Sequence, residues 1–183
     1  AMLGFMLQVP DFQRFDWSSL RAITSGAAPL PVTIINAYMD LGIEVHQVYG
    51  MTETCGPACL IGPDDAKHKI GSTGKSFFHT RVRIADSNGR EMPRGEPGEI
   101  HVQGPHNMKE YWNRPDATAE TVVDGWLHTG DVGHIDDDGF LSEEELAGYE
   151  PPVPGEGDAG VEGDAGVEGD AGVEGDAGVE GDA

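Results

Sequence analysis

Apolar and polar residues alternate in two rhythms along the chain, and the change falls near residue 70. Before it, residues 18–24 read as a short strand ending in Ser25-Gly26-Ala27-Ala28-Pro29, a loop sequence. Pro31 suits a first helical turn, and Ile34, Ile35, Tyr38 and Leu41 recur at helical spacing until Gly42 stops them. Residues 43–48 return to a strand pattern. Strand, helix, strand in so short a span is a βαβ crossover, which predicts an α/β fold with helices against a parallel sheet. Ligands of such sheets gather at the carboxyl ends of strands, here residues 25–29 and 49–53.

From Gly71 onward the helical period fades. Short β-like runs at 77–85, 98–102 and 126–135, separated by Gly, Pro and Asn-Gly turns, predict a small antiparallel β subdomain. Residues 107–112 and 115–122 read as short helical turns, with Pro115-Asp116 as a helix start. Beyond Pro151 the chain is low-complexity, with Gly-Val-Glu-Gly-Asp-Ala four times from Gly160 to Ala183. The expected division is 1–69 for the end of an α/β subdomain, 70–141 for the β-rich part, and 142–183 for an acidic tail. Glycine at every third tail position matches collagen spacing, but the triplets lack proline and aligned chains would stack unpaired carboxylates. A disordered tail is expected.

Charge sharpens this division. Residues 1–140 hold 11 basic and 19 acidic residues, whereas 141–183 hold 14 acidic residues and no Lys or Arg, so most of the net charge of −22 belongs to the tail. Such a chain has no electrostatic footprint for nucleic acid or anionic lipid. Cys55 and Cys59, in Cys-Gly-Pro-Ala-Cys, match neither a redox pair nor a zinc knuckle and read as small buried hydrophobes. The apolar residues 1–7 lack a basic leader and are too few to span a membrane, which makes a cytoplasmic location the default. His46, His68, His79, His101, His106 and His128 show no metal-ligand spacing and read as structural or solvated.

The chemistry concentrates in Gln47-Val48-Tyr49-Gly50-Met51-Thr52-Glu53, where a strand ends in a turn. An aromatic face can stack on a purine, Gly admits a phosphate to the backbone, Thr can bond phosphate oxygens, and Glu can hold Mg²⁺. Alone, the stretch could equally be a turn and a helix cap, with Thr52 capping and Glu53 favoured by the helix dipole. Its company decides. Ser25-Gly26-Ala27-Ala28-Pro29-Leu30 precedes it, and Gly125-Trp126-Leu127-His128-Thr129-Gly130-Asp131 follows. Gly95-Glu96-Pro97-Gly98-Glu99-Ile100 with Gly104, and Lys109-Glu110-Tyr111-Trp112-Asn113-Arg114-Pro115-Asp116-Ala117-Thr118, lie between. In order and interval these stretches, over residues 1–141, resemble the adenylate-forming superfamily of acyl-CoA synthetases, aryl-CoA ligases, luciferases and peptide-synthetase adenylation domains. Tyr-Gly-Met-Thr-Glu and Trp-Leu-His-Thr-Gly-Asp look most like its fatty or aryl acyl-CoA synthetases.

The resemblance implies a two-step ligase reaction: a carboxylic acid and ATP give acyl-AMP and pyrophosphate, and coenzyme A then displaces AMP. It implies that Gly26, Ala27 and Ala28 wall the adenine and acyl group. Tyr49 would stack on adenine, with Gln47, Gly50 and Met51 beside it. Thr52 would meet the α-phosphate, Glu53 the Mg²⁺, and Asp131 the ribose hydroxyls.

The sequence departs from that family twice. No Gly-rich Ser/Thr loop with a Lys occurs, and after Asp138-Gly139-Phe140-Leu141, where the family continues into a basic hinge and a lid with a catalytic Lys, Ser142-Glu143-Glu144-Glu145 follows. The chain therefore reads as a middle segment not competent for full turnover alone. Two other readings compete: residues 134–145 match an EF-hand calcium loop at several positions but begin with His, and the acidic tail could bind a basic partner as a non-catalytic scaffold.

Overall fold

A computed structural model describes residues 2–143, which lie within one compact unit; the acidic tail, and the disorder and basic partner expected for it, lie outside the described residues. The strand–helix–strand start forms as the pattern requires. Strand β1 (Ala22–Ser25) pairs in parallel with β2 (Glu44–Tyr49), Ala22 opposite Glu44 and Ser25 opposite Gln47, with helix α2 (Val32–Met39) between them in sequence. Residues 18–21 stay outside β1, because a turn closes there with Leu20 N–H on the Trp17 carbonyl. Ile35 and Tyr38 of α2 are buried with Phe12, Ile43 and Val45. The apolar start folds as helix α1 (Met2–Met6), and the Tyr38 hydroxyl donates to the Leu3 carbonyl at 2.9 Å. Among the described residues no helix is long and apolar enough to cross a membrane.

The sheet is mixed rather than parallel throughout. Two-residue strands β3 (Cys59–Leu60) and β4 (Lys75–Ser76) add to it antiparallel, giving the order β1-β2-β3-β4 and carrying it past the expected boundary at residue 69. Strands this short carry almost no periodicity. Cys59 is buried as expected, and burial pushes its thiol up to about 12; Cys55 is exposed, because it leaves the turn after Glu53 in a left-handed conformation.

The second sheet is antiparallel. Its strands are β5 (Arg81–Ala85), β6 (Gly98–Gln103), β7 (Val122–Val123), β8 (Trp126–Ile135) and β9 (Leu141–Glu143); the order is β5-β6-β8-β7, and β9 pairs with β8. The expected run at 77–85 shortens to β5 because a turn holds Thr80 N–H on the Phe77 carbonyl. Ile84, Ile100, Val102, Leu127 and Leu141 share one buried cluster with Tyr49 from the first sheet. Leu141 also ties the sheets through the backbone: its carbonyl accepts from Thr73 N–H and the Ser72 hydroxyl, and its N–H donates to the Gly74 carbonyl.

Helix α3 (Pro115–Thr121) starts on its proline as expected, but residues 107–112 are not helical. Their amides are committed elsewhere. Met108 N–H donates to the Glu53 carbonyl and Tyr111 N–H to the Thr118 hydroxyl, which leaves no local ladder to wind.

The calcium-loop reading fails on the fold. Trp126–Ile135 is a strand, so no entering helix exists, and Asp136 and Asp138 are both bound by the Lys69 ammonium, at 2.7 and 2.6 Å. Residues 136–140 are the turn of the β8–β9 hairpin. Glu144 and Glu145 lie outside the described residues.

Candidate functional site

Tyr49 ends β2, and Asp131 lies within β8. The Tyr49 hydroxyl donates to Asp131 Oδ2 at 2.7 Å, so two stretches 82 residues apart meet at one point. Only 4 % of Tyr49 is exposed, which leaves little of its ring open for stacking, while Asp131 itself is exposed. Burial, reinforced by the carboxylate it touches, holds the Tyr49 phenol far above its ordinary range, so it remains a donor at all working pH values.

A β-bulge aims Asp131. Glu99 on β6 faces Val132, and His101 faces His128, so Ile100 alone opposes Thr129, Gly130 and Asp131. Gly130 takes φ 74°, a left-handed value that favours glycine. The Thr129 hydroxyl donates to the Ile100 carbonyl and accepts from Asp131 N–H, and Gly130 N–H donates to Glu99 Oε1 at 3.0 Å.

Past Tyr49, the turn Thr52–Thr54 is a single 3-10 turn. The hydroxyl that closes it belongs to Thr54, which accepts from Met51 N–H and reaches the Met51 and Gly56 carbonyls. Thr52 is not the cap and is exposed. Residues 104–112 clamp this turn from outside. The Tyr111 hydroxyl donates to Glu53 Oε1 at 2.8 Å, and His106 donates from Nδ1 to the Thr54 carbonyl at 2.7 Å while its Nε2 accepts from Thr80. Burial and the Glu53 carboxylate both raise the Tyr111 phenol above its ordinary range. Among the described residues Glu53 Oε2 has no hydrogen-bond partner, so the carboxylate offers the hard oxygen that Mg²⁺ requires. Gly50 has a structural reason of its own: a Cβ there would lie 2.4 Å from the Gly56 carbonyl oxygen.

The loop 25–30 lies against the end of β2. Gly26 backs onto the strand, where a Cβ would stand 2.9 Å from the Val48 oxygen, and Ala27 holds a left-handed φ of 72°. A non-glycine residue there stores roughly 1–3 kcal/mol of strain, a cost that concentrates at ligand-binding loops. Ala28 is exposed. Gln47 is committed to the scaffold: buried, it accepts from Leu30 N–H through Oε1 and donates through Nε2 to the Ser72 carbonyl.

The profile of the family described as AMP-binding enzyme matches residues 1–112. The chain belongs to this family. Among its relatives, the 2-succinylbenzoate–CoA ligase of Bacillus cytotoxicus is 48% identical over 124 residues, 68% of this chain and 26% of that protein. The long-chain-fatty-acid–CoA ligase FadD13 of Mycobacterium tuberculosis is 42% identical over 141 residues, 77% of this chain and 28% of the relative. The crystal structure of the N-terminal domain of FACL13 from M. tuberculosis superposes with a TM-score of 0.72 at 40% identity, covering 79% of this chain and 36% of that one. O-succinylbenzoate coenzyme A synthetase (MenE) from Bacillus subtilis, in complex with ATP and magnesium ion, gives 0.69 at 37% identity, covering 78% and 29%. The chain thus spans under a third of the length of these curated relatives.

One cluster beside these motifs escaped the sequence. Glu99, His101 and His128, read as unrelated, bring ligand atoms within 4.8 Å of one another across β6 and β8. The His101 and His128 rings stack at 3.9 Å, and His101 Nε2 lies 3.0 Å from Glu99 Oε2. Burial opposes the Glu99 charge, but the bonds from His101 and the Gly130 amide outweigh it and hold the carboxyl below its usual range. Burial and the neighbouring His101 push His128 down. Spacing in sequence could not find this cluster, because strand pairing brings the two histidines together; alternation on the strands would have put Glu99 and His101 on one face.

Proposed function

We propose that this chain forms the nucleoside-binding part of an ATP-dependent, AMP-forming acid–CoA ligase. The single observation that supports the reading most is the Tyr49–Asp131 hydrogen bond, which joins the Tyr-Gly-Met-Thr-Glu and Thr-Gly-Asp stretches at one place. The exposed Asp131 carboxylate accepts from the ribose hydroxyls with its unengaged oxygen, while Tyr49 fixes the carboxylate's orientation. Gly26, Ala27 and Ala28 form the wall beside adenine and the acyl group, Gln47 holding that wall and Gly50 and Met51 shaping the turn. Thr52, exposed and free of capping duty, donates to the α-phosphate. Glu53 would hold Mg²⁺ through its unengaged oxygen, and the ion when bound would supply positive charge to the phosphates.

In this reading the carboxylic acid attacks the α-phosphorus to give acyl-AMP, and the coenzyme A thiol then displaces AMP; catalysis is positioning and charge stabilisation. The relatives' names divide between aryl and fatty acids, so the substrate class proposed is a carboxylic acid with an apolar body. The 183 residues contain no Gly-rich Ser/Thr loop with a Lys and no Lys or Arg after Arg114, so we expect nucleotide binding without full turnover from them alone.

Calorimetric titration with AMP tests the site. Asp131→Ala and Tyr49→Ala are each expected to weaken binding about tenfold, the scale of one lost charge-assisted hydrogen bond. Unchanged affinity in both variants refutes the reading.

A further inference from the structure

Glu99 sits where the bulge in β8 breaks the sheet ladder. Opposite Ile100 the strand carries more residues than β6 can pair, and the bulge leaves its extra backbone N–H groups without a ladder partner. That partner is a side chain: Gly130 N–H donates to Glu99 Oε1, one residue before Asp131. Glu99 is 4 % exposed, and its other oxygen is held by His101 Nε2 at 3.0 Å. His101 is fully buried.

The proton between them is fixed by a third residue. Arg83 Nη2 lies 3.3 Å from His101 Nδ1, and a guanidinium only donates, so Nδ1 accepts and the imidazole carries its hydrogen on Nε2, facing Glu99. Arg83 is steadied in turn by the Trp126 ring, 4.1 Å from its guanidinium carbon. The column Trp126, Arg83, His101, Glu99, Gly130 therefore runs from the sheet face to the turn bearing Asp131.

The same donor set argues against a resident metal. A cation on His101 Nε2 would need the lone pair that the Arg83 contact replaces with a hydrogen, and imidazoles stacked at 23° direct their nitrogens along nearly parallel lines. The cluster suits holding a carboxylate in one orientation.

We propose that Glu99 is a positioning residue for Asp131, its buried carboxylate replacing the ladder partner that the bulge removes and so fixing the carboxylate that receives the ribose hydroxyls. The inference rests on the nucleoside reading above and adds to it a residue that meets no ligand.

The test compares AMP with 2′,3′-dideoxy-AMP, which lacks the hydroxyls, and follows the Gly130 amide by hydrogen exchange. In Glu99→Ala, Gly130 exchange is expected to quicken about tenfold and AMP affinity to fall by a similar factor, the scale of one lost hydrogen bond to a charged group. Affinity for the dideoxy analogue should hold. A general loosening of the fold would weaken both nucleotides equally, and that result, or an unchanged AMP preference, overturns the proposal. Should Glu99→Ala yield too little folded protein, Glu99→Asp keeps the charge beside His101 but shortens the side chain away from Gly130, and amide protection and AMP preference are expected to be lost together; losing either without the other also overturns it. If the unaltered chain shows no preference for AMP, or Asp131→Ala keeps one, the ribose reading itself has failed. Gly130 exchange and the Asp131 carboxyl resonance in Glu99→Ala then decide the positioning claim, which falls if both are unchanged.

Discussion

The hydroxyl of Tyr49 reaches the carboxylate of Asp131 at 2.7 Å, a buried donor meeting an exposed acceptor between two different sheets. Replacing Tyr49 by Phe keeps the ring in its apolar cluster and removes the bond. The loss should be about 1 kcal/mol in urea unfolding, below the usual range for bonds to charge because water can replace the donor at an exposed carboxylate. The same variant should bind AMP more weakly while its affinity for 2′,3′-dideoxy-AMP changes little; equal losses for both would show that Tyr49 contributes packing alone.

Tyr111 stands to Glu53 as Tyr49 stands to Asp131. Tyr111→Phe should reduce the Mg²⁺-dependent part of ATP affinity by about tenfold, the lower end for losing an outer partner of a metal-binding carboxylate. Glu53→Gln should abolish that dependence. Titrations of ATP with and without Mg²⁺ decide, and an Mg²⁺ effect of full size in Glu53→Gln would refute the role proposed for Glu53.

Burial, and then the nearby Asp131, raise the Glu143 carboxyl above its usual range. A carboxyl whose folded value lies above its unfolded one binds more protons when folded, so its contribution to stability falls as pH rises through 4.5 and beyond. Glu99 has the opposite sign: its carboxyl is held low, and its contribution is present above 4.5 and fades as pH drops through the lower folded value. Glu143→Gln should therefore raise the melting temperature at neutral pH and leave it unaltered in acid. A variant equally stabilised at both pH values would contradict the assignment.

Gly50→Ala forces a methyl group to within 2.4 Å of the Gly56 oxygen, an approach that only backbone movement can relieve. About 1–3 kcal/mol of destabilisation is expected, as for other overpacked sites. Denaturant midpoints measure it, and a midpoint within error of the parent would mean that the 56–57 segment yields freely.

Calcium should have no effect on melting. Lys69, raised to about 12 by its bonds to Asp136 and Asp138, already occupies the carboxylates that a calcium loop would use. Lys69→Met should lower the melting temperature by loosening the β8–β9 hairpin, and calcium should not restore it.

The crossover at 22–49 and the long strand 126–135 were legible because each repeats its pattern often enough to be counted. Cys59–Leu60 and Lys75–Ser76 were not: two residues hold one step of an alternation, and their pairing is decided by what lies across from them. Residues 107–112 misled for a related reason, since the amides of Met108 and Tyr111 answer to Glu53 and Thr118, and the first of these partners lies far off in sequence. At the site, the motif residues Tyr49 and Asp131 could be named from their stretches. The Gly130–Glu99 bond could not, because it depends on a bulge that only strand register reveals.

The Leu141 carbonyl and amide, bonded to residues 72–74, make the closing hairpin a fastener between the two sheets. Trimming the chain after Glu143 should leave Tyr49 and Asp131 in reach of one another. A stop codon at Leu141 would unfasten the sheets at that edge, so the reach between Tyr49 and Asp131 would be governed from the hairpin.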